Sequence, residues 1–480
     1  MQGALAELLH DAASIYRLVE FIERFCVDQK SAQSYASATH IFFETVTDLA
    51  DKTKQHLVRT AAEATDRAQR GYTWESNVWF RNQRDSILTI KGDWTIIHKY
   101  LKPAADAHAL KVPMPLVELA ERQLESVQGM VGAKIAVLLT PELNYFQTST
   151  TQLRTATDAL RKTIKADATS QTTDRIGFVE LPYSQGSTLF TNIAIYHELG
   201  HFTLEVYPKD PLAEAAERSL KDVYGARYTR LSKDRRAGAK VLLRKWAEEV
   251  FCDLFAIRLI GPAFSFASIE MFSLIGLLLE ENKRKFLPSH PAPACRFGEQ
   301  LKLLRDDKWW EVVGGLDAEQ RRLIEELGAI PDSEFAFYLD RKTKARDQRA
   351  VQAFRSLLPT VRELANELTS EPTEVRQYFV SQRAEIEKCF SHGVVPSRLL
   401  LDGQLIPGHP VAVVNSAFCS YLTELPSFIN RLEKDGANKI DQRSLWTRRL
   451  EMWTIKAIED FFIIDGVRSH GSSSTKRNTG

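Results

Sequence analysis

The sequence predicts a mainly α fold with a small β-sheet. Apolar residues recur at three- and four-residue steps through most of the 480 positions, the period of a one-sided helix. Only two short apolar runs, "AKIAVLLTPELNYFQ" from Ala133 and "RIGFVELPYSQGS" from Arg175, end in proline or turn residues and read as strands. Apolar content of 44% and charged content of 26% are those of an ordinary globular chain, with no internal repeat and no glycine-rich phosphate loop.

Taken in order, residues 1–130 form a helical N-terminal region. "MQGALAELLHDAASIYRLVE" admits acids early and lacks a basic flank, so it reads as an amphipathic helix and not a signal peptide. The next helical stretch runs to Gly71, a plausible stop, and the aromatic stripe of Trp79, Phe80, Trp94 and Tyr100 is expected in the core. Residues 131–300 form the core region that carries the chemistry. A strand and turn lead into the helix "STTQLRTATDALRKTIKAD", then a second strand, then a helix started by Thr188 or Thr191. A polar insertion from Pro211 to about Arg236 precedes the long helix "KVLLRKWAEEVFCDLFAIRLIG", which closes at Gly261-Pro262. The run "GPAFSFASIEMFSLIGLLLEEN" approaches the roughly 20 residues of a membrane span. Glu270 near its centre argues for a buried core helix and against membrane insertion. Residues 301–465 are a helical C-terminal region, and 466–480 read as a disordered tail.

A formal charge of +1 supplies no field toward nucleic acid, and the basic runs from Arg230 and Asp340 read as solvated faces. The five cysteines are scattered without a CxxC pair, which fits a reducing cytoplasmic setting and no cysteine zinc cluster.

The chemistry concentrates in "TNIAIYHELGHFTLEVYP". His197 and His201, four apart, share a helix face and can present two imidazole nitrogens to one cation. Glu198, rotated by about 100°, flanks that cation and can take a proton from water. Such an HExxH arises by chance in roughly two chains in a hundred of this length, so a third ligand has to be found. The long downstream helix offers Glu249 and, one turn on, Asp253 beside the apolar stripe Leu243, Trp246, Val250, Leu254 and Ile257. Two inward acids on a largely buried helix need partners. Glu249 would complete the ligand set, and Asp253 would hold the second nitrogen of one histidine. Glu248 competes for the third position, and direct ligation by Asp253 or Cys252 is a further alternative.

HELGH followed by ExxxD on a later helix resembles the gluzincin metallopeptidases. That resemblance implies a zincin-like catalytic core flanked by helical regions, Zn2+ held by His197, His201 and Glu249, Glu198 as general base and Asp253 behind the ligands. "PSHPAPACR" is similar to the S/T-H-P…R element of HtpX-type and CAAX prenyl protease peptidases. By that likeness His290 stabilises the oxyanion and Arg296 organises it. The likeness covers roughly residues 175–300. Those peptidases span the membrane several times and this chain is expected not to, so their lipid-modified substrates do not carry over.

The resulting expectation is a zinc peptidase acting on a peptide or protein substrate, with a regulatory protein partner as a further possibility from the long helical flanks. "IGFVELP" is a candidate edge for extended substrate, and Tyr183, Tyr207 and Tyr228 are candidate oxyanion donors that spacing does not separate. The alternative is a helical interaction scaffold with a structural or inactive zinc site.

Overall fold

The computed structural model describes residues 2–32, 38–70, 74–109, 112–140, 146–148, 150–166, 176–182, 188–274, 276–279, 282–313, 318–330, 335–337, 348–369, 373–423 and 439–475. They are mainly helical with a small β-sheet, as the periodicity requires. The chain divides into two compact units, Met1–Val112 with Gly132–Gly186, and Pro113–Val131 with Ser187–Gly480.

The first unit contains α1 (Gln2–Ala32), α2 (Ala38–Gln69), α3 (Trp74–Ala109), β1 (Lys134–Thr140), β2 (Phe146–Thr148), α5 (Thr150–Ile164) and β3 (Ile176–Pro182). Strand order is β1-β3-β2, with β1 parallel to β3 from Lys134↔Ile176 to Thr140↔Pro182, and β2 antiparallel to β3 at Phe146↔Glu180. Residues 176–179 and Leu181 are buried on both faces of the strand, the pattern of a covered sheet. Phe178 meets Phe42 edge-on at 5.2 Å and lies 5.7 Å from Tyr100, which seats the sheet on α2 and α3. Phe80, Trp94 and Tyr100 are buried there, and Trp79 packs partly against them. Two sequence expectations change as a result. "IGFVELP" is the central strand and has β1 and β2 on its two sides, so it is not a free edge. The strands also pack with the N-terminal helices, so the compact units are not drawn at residue 131. Gly71 lies outside the described residues.

The second unit contains α4 (Met114–Leu124), α6 (Leu189–Asn192), α7 (Ile195–Val206), α8 (Pro211–Tyr224), α9 (Ala226–Arg230), α10 (Lys233–Ile260) and α11 (Ala263–Leu274). It continues with β4 (Lys285–Phe286), α12 (Pro293–Asp306), α13 (Trp309–Val312), α14 (Ala318–Gly328), β5 (Ala336–Phe337), α15 (Gln348–Leu368) and α16 (Thr373–Ser391). The hairpin β6 (Arg398–Leu401) and β7 (Gln404–Pro407), α17 (Pro410–Thr423) and α18 (Lys439–Thr475) complete it.

Local chemistry sets the ends of the site-bearing helices. Ser232 accepts from Arg235 N–H at 3.3 Å and starts α10. Gly261, at φ +79°, ends it with an N–H donated to Ile257 at 2.8 Å, and Pro262 forbids continuation. Asn415 on α17 fastens that corner by donating to Ile260 O at 2.7 Å and accepting from Ala263 N–H at 2.9 Å. Glu451 on α18 accepts from the N–H groups of Leu189 and Phe190, at 2.9 and 3.2 Å, just ahead of α7. The C-terminal helices therefore close the end of α10 and the start of α6, the short helix that precedes α7.

Of the apolar run after Gly261, Ala263–Leu274 form the helix α11, largely buried, while 276–279 are a turn with Leu279 exposed; among the described residues no helix is long and apolar enough to cross a membrane. The tail expected to be disordered from Gly466 is helical through Thr475, because α18 continues uninterrupted; residues 476–480 lie outside the described residues.

Candidate metal centre

Helices α7 and α10 cross at Gly200 and Cys252. A Cβ on Gly200 would stand 2.8 Å from Cys252 Cα, so only glycine admits this approach. The crossing sets the HELGH face against Glu248, Glu249 and Asp253. His197 Nε2 is 3.4 Å from Glu249 Oε2, and His201 Nε2 is 3.6 Å from Glu249 Oε1. Tetrahedral zinc donors at 2.0–2.1 Å from the metal stand about 3.4 Å from one another, so these separations match a donor set.

The opposite ring nitrogens are held by separate acids. His197 Nδ1 is 2.9 Å from Asp253 Oδ1, and His201 Nδ1 is 3.0 Å from Glu248 Oε1. An imidazole that donates Nδ1–H to a carboxylate keeps its Nε2 lone pair for a cation. Both Nε2 atoms face the one Glu249 carboxylate, an arrangement that calls for positive charge between them. Burial pushes the His197 imidazolium down, but the hydrogen bonds to Asp253 and Glu249 outweigh that and lift it to about 10. Burial also drives the Glu249 carboxyl up, and His197, Arg296 and His201 overcome it, holding Glu249 well below the usual carboxylate range. The guanidiniums of Arg244 and Arg296 pair with Glu248, Glu249 and Asp253 around the two histidines.

Arg296, at the start of α12, binds Asp253 through Nε at 2.7 Å and Nη2 at 2.6 Å, and reaches Glu249 Oε2 from Nη1 at 3.1 Å. Its guanidinium lies 4.9 Å over the Phe272 ring. Gln300, one turn on, donates to Asp253 at 3.1 Å. Asp253 is fully buried; its desolvation is overcome by Arg296 and His197, which hold it at about 2. His197 lies parallel to Phe264 at 6.2 Å, which limits the space on that side.

His290 lies on the exposed side of the cluster. Its Nε2 is 3.5 Å from Glu249 Oε1, its Nδ1 is 2.8 Å from Ser289 Oγ, and its side chain is 44% exposed. Trp246 Nε1–H donates to Leu287 O at 2.7 Å and Leu287 N–H to His290 O at 2.9 Å, which fixes the loop. Glu198 is buried beside His201 and Cys252, close enough for its charge to act on both. Tyr228 is buried and Tyr207 follows α7, but neither contacts the cluster through a described interaction; Tyr183 lies outside the described residues.

The predicted ligands His197, His201 and Glu249 are thus brought together, with Asp253 behind His197 and His290 beside them. Glu248, a competitor for the third position, instead supports His201. Arg296 grips the acids, not His290. Sequence reasoning missed Gln300 and Arg244. Each lies one helical turn from a residue already singled out, Arg296 and Glu248, and that spacing was the available signal. A different donor set is also within reach, since His197, His201 and Cys252 have donor atoms within 4.8 Å of one another. The two Glu249 oxygens each face one Nε2 atom, and Cys252 sulfur fills the notch at Gly200, 2.9 Å from where a Gly200 Cβ would be. Comparison with protein-family models, with curated proteins and with solved structures finds no match for the chain.

Proposed function

We propose that this protein is a zinc-dependent peptidase. The observation that carries the reading is the convergence of two Nε2 atoms on Glu249 while two separate acids take the Nδ1 atoms. Zn2+ held by His197, His201 and Glu249 would supply Lewis acidity, polarising a carbonyl and acidifying water. Glu198 accepts the proton of the attacking water as its oxygen bonds to the scissile carbon, then returns that proton to the leaving nitrogen as the C–N bond breaks. His290, on the exposed side of the cluster, donates to the carbonyl oxygen as it gains negative charge. Asp253, Arg296 and Gln300 hold His197 in one tautomer and orientation. All five cysteines are free, which supports a cytoplasmic setting.

A second reading, a helical scaffold with a structural zinc, draws support from Cys252. With Glu249 it would make four protein donors and leave no position for water. Zinc content and peptide cleavage separate the readings. Wild type purified without chelators should hold zinc, and His201→Ala should lose it. Glu198→Gln should keep zinc and lose cleavage of a peptide library. A zinc-free wild type ends the metal reading, and wild-type cleavage by Glu198→Gln removes Glu198 as base.

A further inference from the structure

The two histidines are supported in unlike ways. Behind His197 the support is sealed: the Asp253 and Arg296 side chains are 1% and 6% exposed, and Gln300 is fully buried. Behind His201 it runs outward. His201 Nδ1 meets Glu248 Oε1 at 3.0 Å, Arg244 Nη1 donates to Glu248 Oε2 at 2.6 Å, and Arg244 Nε donates to Asp210 Oδ2 at 2.7 Å. Side-chain exposure rises along this chain from 17% and 19% to 32% and then 47%. Asp210 also accepts from Ala213 N–H at 2.9 Å through Oδ1, so the chain ends on the first turn of α8.

Charge alternates at each step, from imidazole to carboxylate to guanidinium to carboxylate. Each partner restrains the rotamer of the one before it; Arg244 is partly exposed and Asp210 is exposed. Exposed charges are screened by salt over a distance that shrinks from about 10 Å at 0.1 M to about 3 Å at 1 M, while sealed pairs are screened far less. The His197 support should therefore ignore ionic strength, and the His201 support should loosen with it.

We propose that Glu248, Arg244 and Asp210 are positioning residues that set how firmly His201 is held, and that His201 is the ligand through which the metal is loaded and released. This rests on the metal-centre reading above and adds to it a direction of exchange and a sensitivity to salt. The cation is a divalent ion, released as the His201 support loosens. Supports behind a metal-bound histidine are typically worth about 10–100-fold in metal affinity. The chain's effect should appear mostly as a faster release rate, because the sealed His197 side stays in place.

The test loads the full-length protein with Zn2+ and follows its transfer to a chromophoric chelator at low and high salt. Wild type should release zinc faster at high salt. Glu248→Gln and Arg244→Met should release it about 10–100-fold faster at low salt, with the salt dependence gone, and Arg244→Lys should recover part of the difference. Lys240→Met is the control: Lys240 pairs with Glu217 at 3.1 Å, another bridge between α10 and α8, but stands outside the chain. Its release rate should equal wild type. A wild-type rate indifferent to salt, no change on Glu248→Gln, or an equal acceleration by Lys240→Met overturns the proposal while the metal centre stands. Failure of wild type to bind zinc at all overturns the metal-centre reading instead.

Discussion

Replacing Gly200 with alanine sets two effects of opposite sign against each other. Alanine in a helix interior is favoured over glycine by about 1 kcal/mol. The new Cβ, however, would lie 2.8 Å from Cys252 Cα, 2.9 Å from its sulfur and 3.0 Å from its Cβ, where ordinary contact begins near 3.4 Å. The sulfur can rotate away, but the Cα belongs to the α10 backbone and cannot. Moving that contact from 2.8 to 3.4 Å separates the helices by about 0.6 Å in a close-packed interior. Overpacking of this kind costs about 1–3 kcal/mol, and a backbone clash belongs at the upper end. The expected net effect is a loss of about 2 kcal/mol after the gain in helix propensity. The same shift exceeds the roughly 0.2 Å tolerance on metal–ligand distances, so zinc affinity should fall as well. Urea unfolding of the metal-free protein reads the first effect, and chelator competition reads the second. An alanine variant as stable as wild type, with unchanged zinc affinity, would refute the close crossing and the donor geometry built on it.

Two further outcomes follow from particular side chains. Cys252→Ser should retain stoichiometric zinc, measured by elemental analysis; loss of the metal would make Cys252 a ligand and favour the closed structural site. His409 stacks on Tyr378 at 4.0 Å with its Nδ1 buried and without a partner among the described residues, and burial lowers it to about 4. The unfolded chain takes up that proton near pH 6.5 and the folded one does not until about 4. Stability should therefore fall on acidification from 6.5 toward 4, by at most about 1.4 kcal/mol per pH unit. His409→Phe should flatten that part of the stability profile, and an unchanged profile would show that His409 is not its source.

What could be read along the chain was whatever depends on neighbours in sequence. The pairing of His197 with His201 across one turn follows from helix geometry alone, as does that of Glu249 with Asp253. The end of α10 at Gly261-Pro262 and the buried character of α11 were also local matters, set by backbone freedom and by a glutamate in an apolar run. The sheet was legible as strands but not as an arrangement. Nothing in "IGFVELP" distinguishes a central strand from an edge, because that depends on which strands lie on either side. The helical state of Gly466–Thr475 was missed because a composition rich in serine and glycine predicts no helix.

The sequence by itself determined a helical protein and the pairing of His197 with His201 and of Glu249 with Asp253, because helix periodicity decides which side chains share a face. It could not decide which faces would meet. Glu248 meets His201 Nδ1, Arg296 pairs with Asp253 and Glu249, and Arg244 and Gln300 join the cluster, only once α7, α10 and α12 are packed together. That packing depends on a backbone approach at Gly200 and on side chains far apart in the chain. It is a property of contact between helices, and one helix's sequence carries no record of the angle at which another crosses it.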